Sequence, residues 1–212
     1  MSRGAPGTTV AARPQRAEEA GNSGTAMRIL SAAERLVQTR GFNGFSYADI
    51  ATELHITTAA LHYHFATKAE LGEALIAHYS QSFSETLTRL DNDLAQPADK
   101  LAGYSEVYLE VLRAERMCLC GMLAAEYQTL PEPMQHAVVR FFDANESWLE
   151  RVLVQGQSDG TLKLYGPARD IARMIIGGLE GAMMVARACG DIRRFQDAAT
   201  RLIGGLTVAR DK

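Results

Sequence analysis

Two clusters in this 212-residue chain hold side chains able to do chemistry. One is Leu61-His62-Tyr63-His64-Phe65, followed by Thr67 and Lys68; the other is Met117-Cys118-Leu119-Cys120-Gly121-Met122. The two histidines stand two residues apart, which on a helix points the rings in different directions and makes a poor metal pair. Cys-x-Cys without a neighbouring His or third Cys is a poor zinc site, and thiols this close pair awkwardly in regular structure. What stays open to them is reactivity. Arg113 and Arg116 upstream, with a helix start downstream, would lower a thiol pKa and make it sensitive to electrophiles or oxidants. Inert buried cysteine is the competing reading. No Gly-rich phosphate loop, nucleophile elbow, metal-ligand spacing or Glu-x-x-His pair occurs, so the chain is expected to be no enzyme and to need no cofactor or metal. The hydroxyl, imidazoles and ammonium of the first cluster suit contacts to phosphate instead.

Those side chains need a frame, and the stretch Phe45 to Lys68, FSYADIATELHITTAALHYHFATK, supplies one. Ser46 is a natural N-cap, and Asp49 three residues on can accept from its backbone N–H, a capping-box spacing. Ile50, Ala51 and Leu54 recur at helical intervals, so the spacing predicts about two turns of helix over Tyr47 to Leu54. His55 and Ile56 make a turn that holds neither Gly nor Pro. Thr57 caps a second helix, Thr58 to His64, which keeps Leu61 and Phe65 on one face while Thr58, His62 and Tyr63 point elsewhere. Thr67 with Glu70 repeats the capping box and opens another helix at Lys68. Upstream, Ile29, Ala33, Leu36 and Val37 give Met27 to Arg40 an apolar face, with Gly41 as its stop. Helices under about 12 residues are marginal alone, so this longer helix must brace the short pair, with Phe42 and Phe45 packing it down. Two short helices across a brief turn form the helix-turn-helix geometry that seats its second helix in a DNA major groove.

The run Leu61-His62-Tyr63-His64-Phe65, then Ala66-Thr67-Lys68 and an acidic-apolar helix start, resembles the DNA-binding signature of the TetR family of bacterial regulators. The likeness is specific over Met27 to Ala74; beyond that it rests on length and an all-helical pattern. His62 stands where the family more often has Tyr, and Thr58 where a basic or amide residue often sits. By side-chain direction and resemblance together, Thr58, Ala59 and Ala60 are expected at base edges, the alanine methyls suiting a thymine methyl. Tyr47, His62, Tyr63 and His64 are expected on phosphates, Lys68 adds charge, and Ser46 and Thr57 complete the DNA-facing set. Tyr63 and His64 wedging the small domain against the next helix is the alternative for that pair. The resemblance implies an all-α homodimer that binds a near-palindromic double-stranded operator, acts as a repressor and is released by a small molecule in its C-terminal domain. The rival class is a helical small-molecule or thiol-based redox sensor without specific operator binding.

The formal net charge is −3, but residues 1–68 balance at +2 and the remainder at −5. That sign fits a DNA-binding end joined to an acidic effector end, though the balance is too small to carry the reading. No apolar run reaches the roughly 18–20 residues of a membrane span, and residues 1–24 lack the apolar centre of a signal peptide. The expectation is a cytoplasmic protein. Three cysteines without framework spacing agree with a reducing compartment. Residues 1–24, rich in Gly, Ala, Pro and Thr, are expected to form a mobile tail whose Arg3, Arg13 and Arg16 could follow phosphates or a minor groove. A DNA-binding domain at 25–72 and a ligand-binding and dimerisation domain at 73–212 would follow.

From Lys68, Leu71, Leu75, Tyr79, Phe83 and Leu87 recur every four residues and predict one helix to about Leu90, shared by both domains. A linker, Asp91 to Asp99, precedes a helix from Leu101 to about Glu115, a short helix ending before Pro131, and a long one that closes near Gly156 to Gly160. A mostly apolar cavity with a few hydroxyls, edged by adaptable methionines, suits a small hydrophobic or aromatic effector. Its expected walls are Tyr104, Tyr108, Met117, Cys118, Cys120, Met122, Phe142, Trp148 and Met174. The last two helices, Pro167 to about Ala188 and Asp191 to about Arg210, carry apolar stripes interrupted by Gly177, Gly178, Gly181, Gly204 and Gly205. Glycine inside a helix costs roughly 1 kcal/mol relative to alanine, so five of them point to close approach by another helix. The resemblance implies that these helices pair with their copies, with Gly177, Gly178, Gly181, Phe195, Leu202 and Leu206 at the interface. Two recognition helices would then lie about one DNA turn, roughly 34–36 Å, apart. Packing within one chain is the other account of the same glycines.

Overall fold

The computed structural model describes residues 13–208, with side chains from Gly24 onward. These residues form nine α-helices: α1 Arg13–Arg40, α2 Tyr47–Leu54, α3 Thr58–His64, α4 Lys68–Asp93, α5 Pro97–Arg113, α6 Leu119–Ala125, α7 Glu132–Ser158, α8 Ala168–Cys189 and α9 Arg193–Gly204. A single 3-10 turn, Tyr127–Thr129, links α6 to α7. The all-helical reading of the apolar periodicity is therefore correct, and the caps explain where the short helices start. The Ser46 N–H donates to the Asp49 carboxylate at 2.7 Å, Thr57 Oγ1 accepts from the Ala60 N–H at 3.1 Å, and Thr67 Oγ1 accepts from the Glu70 N–H at 3.1 Å. The Glu70 carboxylate reaches back one residue further than a strict capping box requires, to the Ala66 N–H at 3.1 Å.

Three boundaries differ from the sequence reading, each for a local reason. α1 begins at Arg13, so Arg13 and Arg16 lie in a helix and not in a tail, while Arg3 lies outside the described residues. Ala17, Glu18, Glu19 and Ala20 are strong helix formers and outweigh Gly21 and Gly24. α5 begins at Pro97 itself, because proline at the first helical position has no N–H to lose. α9 stops at Gly204, since the chain then returns along the loop after α7: the Lys163 N–H donates to the Leu206 carbonyl at 2.8 Å and the Val208 N–H to the Thr161 carbonyl at 3.1 Å. The turn after α2 closes with His55 in the left-handed region, at φ 54°, where its N–H and that of Ile56 satisfy the last carbonyls of the helix.

One apolar core runs through the molecule. Ile29, Val37, Ile50 and Leu61 close α1–α3 over one end, and Tyr104, Leu149, Ile175 and Phe195 fill the bundle of α5 and α7–α9. α4 belongs to both, burying Leu71 and Leu75 near its start and Phe83 and Leu87 further along. Among the described residues, no helix is long and apolar enough to cross a membrane.

Candidate nucleic-acid interface and effector core

The short pair α2–α3 leaves the N-terminal end of α3 open to solvent. Thr57, Thr58, Ala59, His62 and Tyr63 are exposed, with Tyr63 at 76% of its full surface, and Ala60 is half-buried above Leu61. So exposed a Tyr63 ring is open to contact with another molecule, and within the chain it meets the His64 ring. His64 is half-buried, edge-on to the Tyr63 ring at 5.4 Å. The exposed part of α3 holds no Lys or Arg, so it offers hydroxyls, methyls and imidazole and little charge.

Two expected phosphate contacts are turned inward. The Lys68 ammonium donates to the backbone carbonyls of Phe42 and Phe45 and sits over both rings, 4.7 and 4.1 Å from their centroids. Burial pulls its pKa down, while Glu126 and Asp49 act the other way. A long flexible cation gains more from two carbonyls and two ring faces than from water. The Tyr47 hydroxyl is likewise spent locally, donating to the Phe65 carbonyl at 2.9 Å and tying α2 to the end of α3, and burial pushes its pKa up to about 12. The Tyr47 ring also packs on His62 at 4.8 Å, and the His62 Nδ1 lies 3.0 Å from the Ala66 carbonyl. Ser46 is exposed, with its hydroxyl on Asp49.

The loop between α1 and α2 is gripped from the C-terminal part of the chain. Glu126, just past α6, accepts from the Phe42 N–H at 2.6 Å and the Asn43 N–H at 3.3 Å. Asn43 also donates through Nδ2 to Thr129 Oγ1 at 2.8 Å. The peptide unit of Phe42 is thus held on its N–H side by Glu126, while Lys68 takes its carbonyl. Nearby, the Met117 N–H donates to the Gln38 carbonyl at 3.1 Å, and Arg187 of α8 donates to the Glu115 and Thr39 carbonyls at 2.8 and 3.4 Å. Nothing in the spacing of the sequence marks Glu126. It is an acid after a short helix like many others, and only the fold brings it to Phe42.

Inside the C-terminal helices the aromatic and thiol residues form one buried polar cluster. Tyr104 and Tyr108 hydroxyls are 3.1 Å apart, and Tyr104 donates to Asn145 Oδ1 at 3.3 Å, whose Nδ2 donates to the Phe141 carbonyl at 2.8 Å. Tyr79 donates to the Cys118 sulfur at 3.8 Å, and Tyr104 stacks on Trp148 with centroids 5.6 Å apart. Met117, Cys118 and Cys120 are buried against this group, while Met122 and Phe142 are half-buried at its edge. Met174 does not join it: it lies on the outer side of α8, 47% exposed. Of the two readings of the cysteines, inert buried thiol fits the fold and the lowered pKa does not. Burial pushes both thiols well up, and Glu180 adds to the effect, although Cys118 does cap α6 as a helix start should. Arg113 pairs with Glu106 and is turned away from the thiols.

A groove of about 640 Å³ opens between α4 and α7 over the same aromatics. Phe83, Phe141, Asn145 and Trp148 line it, with Ser80 and Ser84 at its rim. Asp91 anchors one end, taking the Trp148 indole N–H at 2.9 Å and the Lys100 ammonium at 2.9 Å. Burial raises the Asp91 pKa, but those two hydrogen bonds outweigh it and hold the carboxyl below its ordinary value. Phe83 and Asn145 escaped the sequence reading because they sit on apolar stripes that look like plain core.

The glycines of α8 divide between the two accounts offered for them. A Cβ at Gly178 would lie 2.9 Å from Leu202, so α8 and α9 approach closely here within one chain, while Gly178 itself stays exposed and Leu202 half-buried. Phe195 and Leu206 are buried inside the chain as well, 1% and 3% exposed, and are withdrawn from any outer face. Gly177 and Gly181 are exposed and would meet nothing. With Met174, Met184 and Val185 they make an open apolar stripe at helical spacing along α8.

Among the described residues, an all-helical fold whose capped α2–α3 pair stands clear of a helical bundle has helix-turn-helix architecture. Sequence comparison agrees: the profile of bacterial regulatory proteins of the tetR family matches residues 29–75, and that of the tetracyclin repressor-like C-terminal domain matches residues 97–202. The crystal structure of a TetR-family transcriptional regulator from Agrobacterium tumefaciens superposes with a TM-score of 0.86 at 31% identity, covering 88% of this chain and all of that one. A TetR transcriptional regulator from Legionella pneumophila gives 0.78 at 31% identity over 85% of this chain and 96% of its own. The HTH-type transcriptional repressor DhaR of Mycobacterium sp. (strain GP1) is 20% identical over 146 residues, 68% of this chain and 73% of DhaR. The chain belongs to the TetR family of bacterial regulatory proteins and is a transcriptional regulator with an N-terminal DNA-binding domain.

Proposed function

We propose that the protein is an effector-responsive repressor that binds a near-palindromic operator as a homodimer. Thr58, Ala59 and Ala60 meet base edges and Tyr63 and His62 the flanking phosphates. Copies pair through the open stripe of α8 and the neighbouring surface of α9, which would place two α3 helices on one face of the duplex. A small hydrophobic or aromatic effector enters by the α4–α7 groove and reaches the Tyr104–Asn145–Cys118 cluster.

One observation carries the responsive part of this reading. Glu126, which holds the α1–α2 loop by two N–H groups, follows directly on the short helix that Cys118 caps. A ligand that shifts α6 moves the grip on the DNA-binding end, so the two sites share one mechanical element. Repression is supported by the name of the Mycobacterium relative.

The reading is tested by selecting genomic fragments on the purified protein and measuring their affinity and its salt dependence beside bulk duplex, with the mass in solution determined in parallel. A dimer that holds a near-palindrome at least 1000-fold more tightly than bulk DNA is the expected outcome, as specific sites exceed non-specific ones by about 10³ or more. A stable monomer, or equal affinity for all fragments, would overturn it. The thiol-sensing alternative is disfavoured by the burial of Cys118 and Cys120: in the folded protein both should resist alkylation, and modification of the exposed Cys189 should leave operator affinity unchanged.

A further inference from the structure

In the buried cluster of the C-terminal helices, hydrogen bonding is complete except at one atom. Tyr104 is bonded to both Tyr108 and Asn145, Asn145 to the Phe141 carbonyl and Tyr79 to Cys118, and Cys118 accepts from the Gly121 N–H at 3.5 Å. Glu180, the one acid on the inward side of α8, is the exception: its Oε1 is buried and has no hydrogen-bond partner. The other oxygen, Oε2, lies so close to Gly121 that any Cβ there would collide with it, so α6 is shaped around this carboxyl. The Cys118 thiol hydrogen-bonds this carboxyl, so Oε1 is its one unmet acceptor, and buried acceptors without partners are rare and costly. Leucine there would remove the unmet acceptor, yet the chain carries the acid.

We infer that the effector is a small amine whose protonated nitrogen donates to the free oxygen of Glu180 while its apolar body lies against the surrounding aromatic rings. The inference rests on the effector-responsive reading and specifies its ligand. Three features select that chemistry. The free group is an acceptor, so it calls for a donor. The hydroxyls of Tyr79, Tyr104 and Tyr108 are engaged with one another, with Asn145 or with sulfur, so a carboxylate or carbonyl ligand finds no free donor among the tyrosines. Stacked Tyr104 and Trp148, with Phe83 and Phe141 centred 5.2 Å apart, present the π-faces that attract a desolvated cation. Phe83, Phe141 and Trp148 also line the α4–α7 groove, so the rings that would hold the ligand body are reachable from its side. Burial pushes the carboxyl up to about 7, with the Cys118 thiol opposing, so near neutral pH an ammonium can still draw it into the charged form.

The test uses the full chain at pH 7.5 and three probes of one size: benzylamine, benzyl alcohol and benzoate. Binding is followed by calorimetry and by the rise in Tm, for the wild type, Glu180→Gln and Gly121→Ala. Benzylamine should bind the wild type at least tenfold more tightly than benzyl alcohol, and benzoate should not bind. Glu180→Gln keeps the shape and should lose at least tenfold for benzylamine with little change for benzyl alcohol. Gly121→Ala, which displaces the carboxyl while leaving its charge, should act in the same direction. Benzylamine binding that survives Glu180→Gln, benzoate binding as well as benzylamine, or no binding by any probe would each overturn the inference. If benzyl alcohol or benzoate releases the chain from its operator without regard to residue 180, the effector-responsive reading stands and the amine falls. If benzylamine binds through Glu180 and the operator complex ignores it, the amine stands and the responsive reading falls.

Discussion

The two ends of the molecule treat polar groups in opposite ways. Around α2 and α3 the capping side chains are satisfied three residues away, as in Ser46 with Asp49 and Thr57 with Ala60, and Tyr47 with Phe65 is a longer reach. In the C-terminal bundle local bonds such as Asn145 to Phe141 are joined by buried ones between residues far apart, as Tyr79 with Cys118 and Trp148 with Asp91. In the proposed function, the surface that exchanges water for phosphate keeps its polar groups outside and its caps local. In the proposed function, the core that takes the effector holds polar groups in a low dielectric, where each unmet bond costs more. Glu126 and Lys68 join the two regimes at the Phe42 peptide.

That contrast can be broken first at the apolar support of the DNA-binding end. Leu61 is fully buried under α3. Leu61→Ala should destabilise the protein by about 2–5 kcal/mol, the usual range for emptying a core site, as measured by urea unfolding. Operator affinity at a temperature where the variant is folded should fall with it. Loss under 1 kcal/mol would mean that α3 is held by its caps and not by its core contact.

Next comes Glu180, where the sign follows from its raised pKa. The folded protein binds a proton more tightly than the unfolded chain, so the stability due to this group is fully present below about pH 4.5 and is lost as the pH rises through about 7. A shift of that size corresponds to roughly 3 kcal/mol. Thermal unfolding of Glu180→Gln should therefore show a higher Tm than the wild type at pH 8, and the difference should shrink or reverse at pH 5. Parallel pH profiles for the two proteins would refute the buried state of the carboxyl.

Glu126 tests the joint. Glu126→Ala leaves two N–H groups without an acceptor and should cost about 1–3 kcal/mol of stability, with Glu126→Gln, which keeps one acceptor oxygen, falling between. The discriminating readout is operator affinity of the folded variants. It should weaken for both if the loop positions α2 and α3, and stay unchanged if the grip only adds stability.

A smaller effect is expected at the cap of α3: Thr57→Ala should lose about 1 kcal/mol by denaturant titration. Smallest of all for stability, and largest in its asymmetry, is Tyr63→Ala. An exposed site away from packing changes stability by no more than about 0.5 kcal/mol, yet gel-shift affinity for the operator should drop. A variant that unfolds easily would place Tyr63 in the wedge role instead.

The sequence by itself determined the helices, their caps, the helix-turn-helix and the family, because capping boxes and apolar stripes act between residues a few positions apart. Even the non-glycine turn at His55 was readable, since flanking caps bounded it. The tertiary structure alone decided where side chains of ordinary appearance end up. It turned Lys68 and Tyr47 inward, placed Met174 outside the aromatic cluster, and buried Phe195 and Leu206 within one chain. It divided the glycines of α8 between neighbour and solvent, raised the thiols that nearby arginines were expected to lower, and set Glu126 on Phe42 and Glu180 among the tyrosines. Those outcomes depend on contacts between residues tens of positions apart, and a charge or ring on a helix carries no local mark of which distant partner, or none, will meet it.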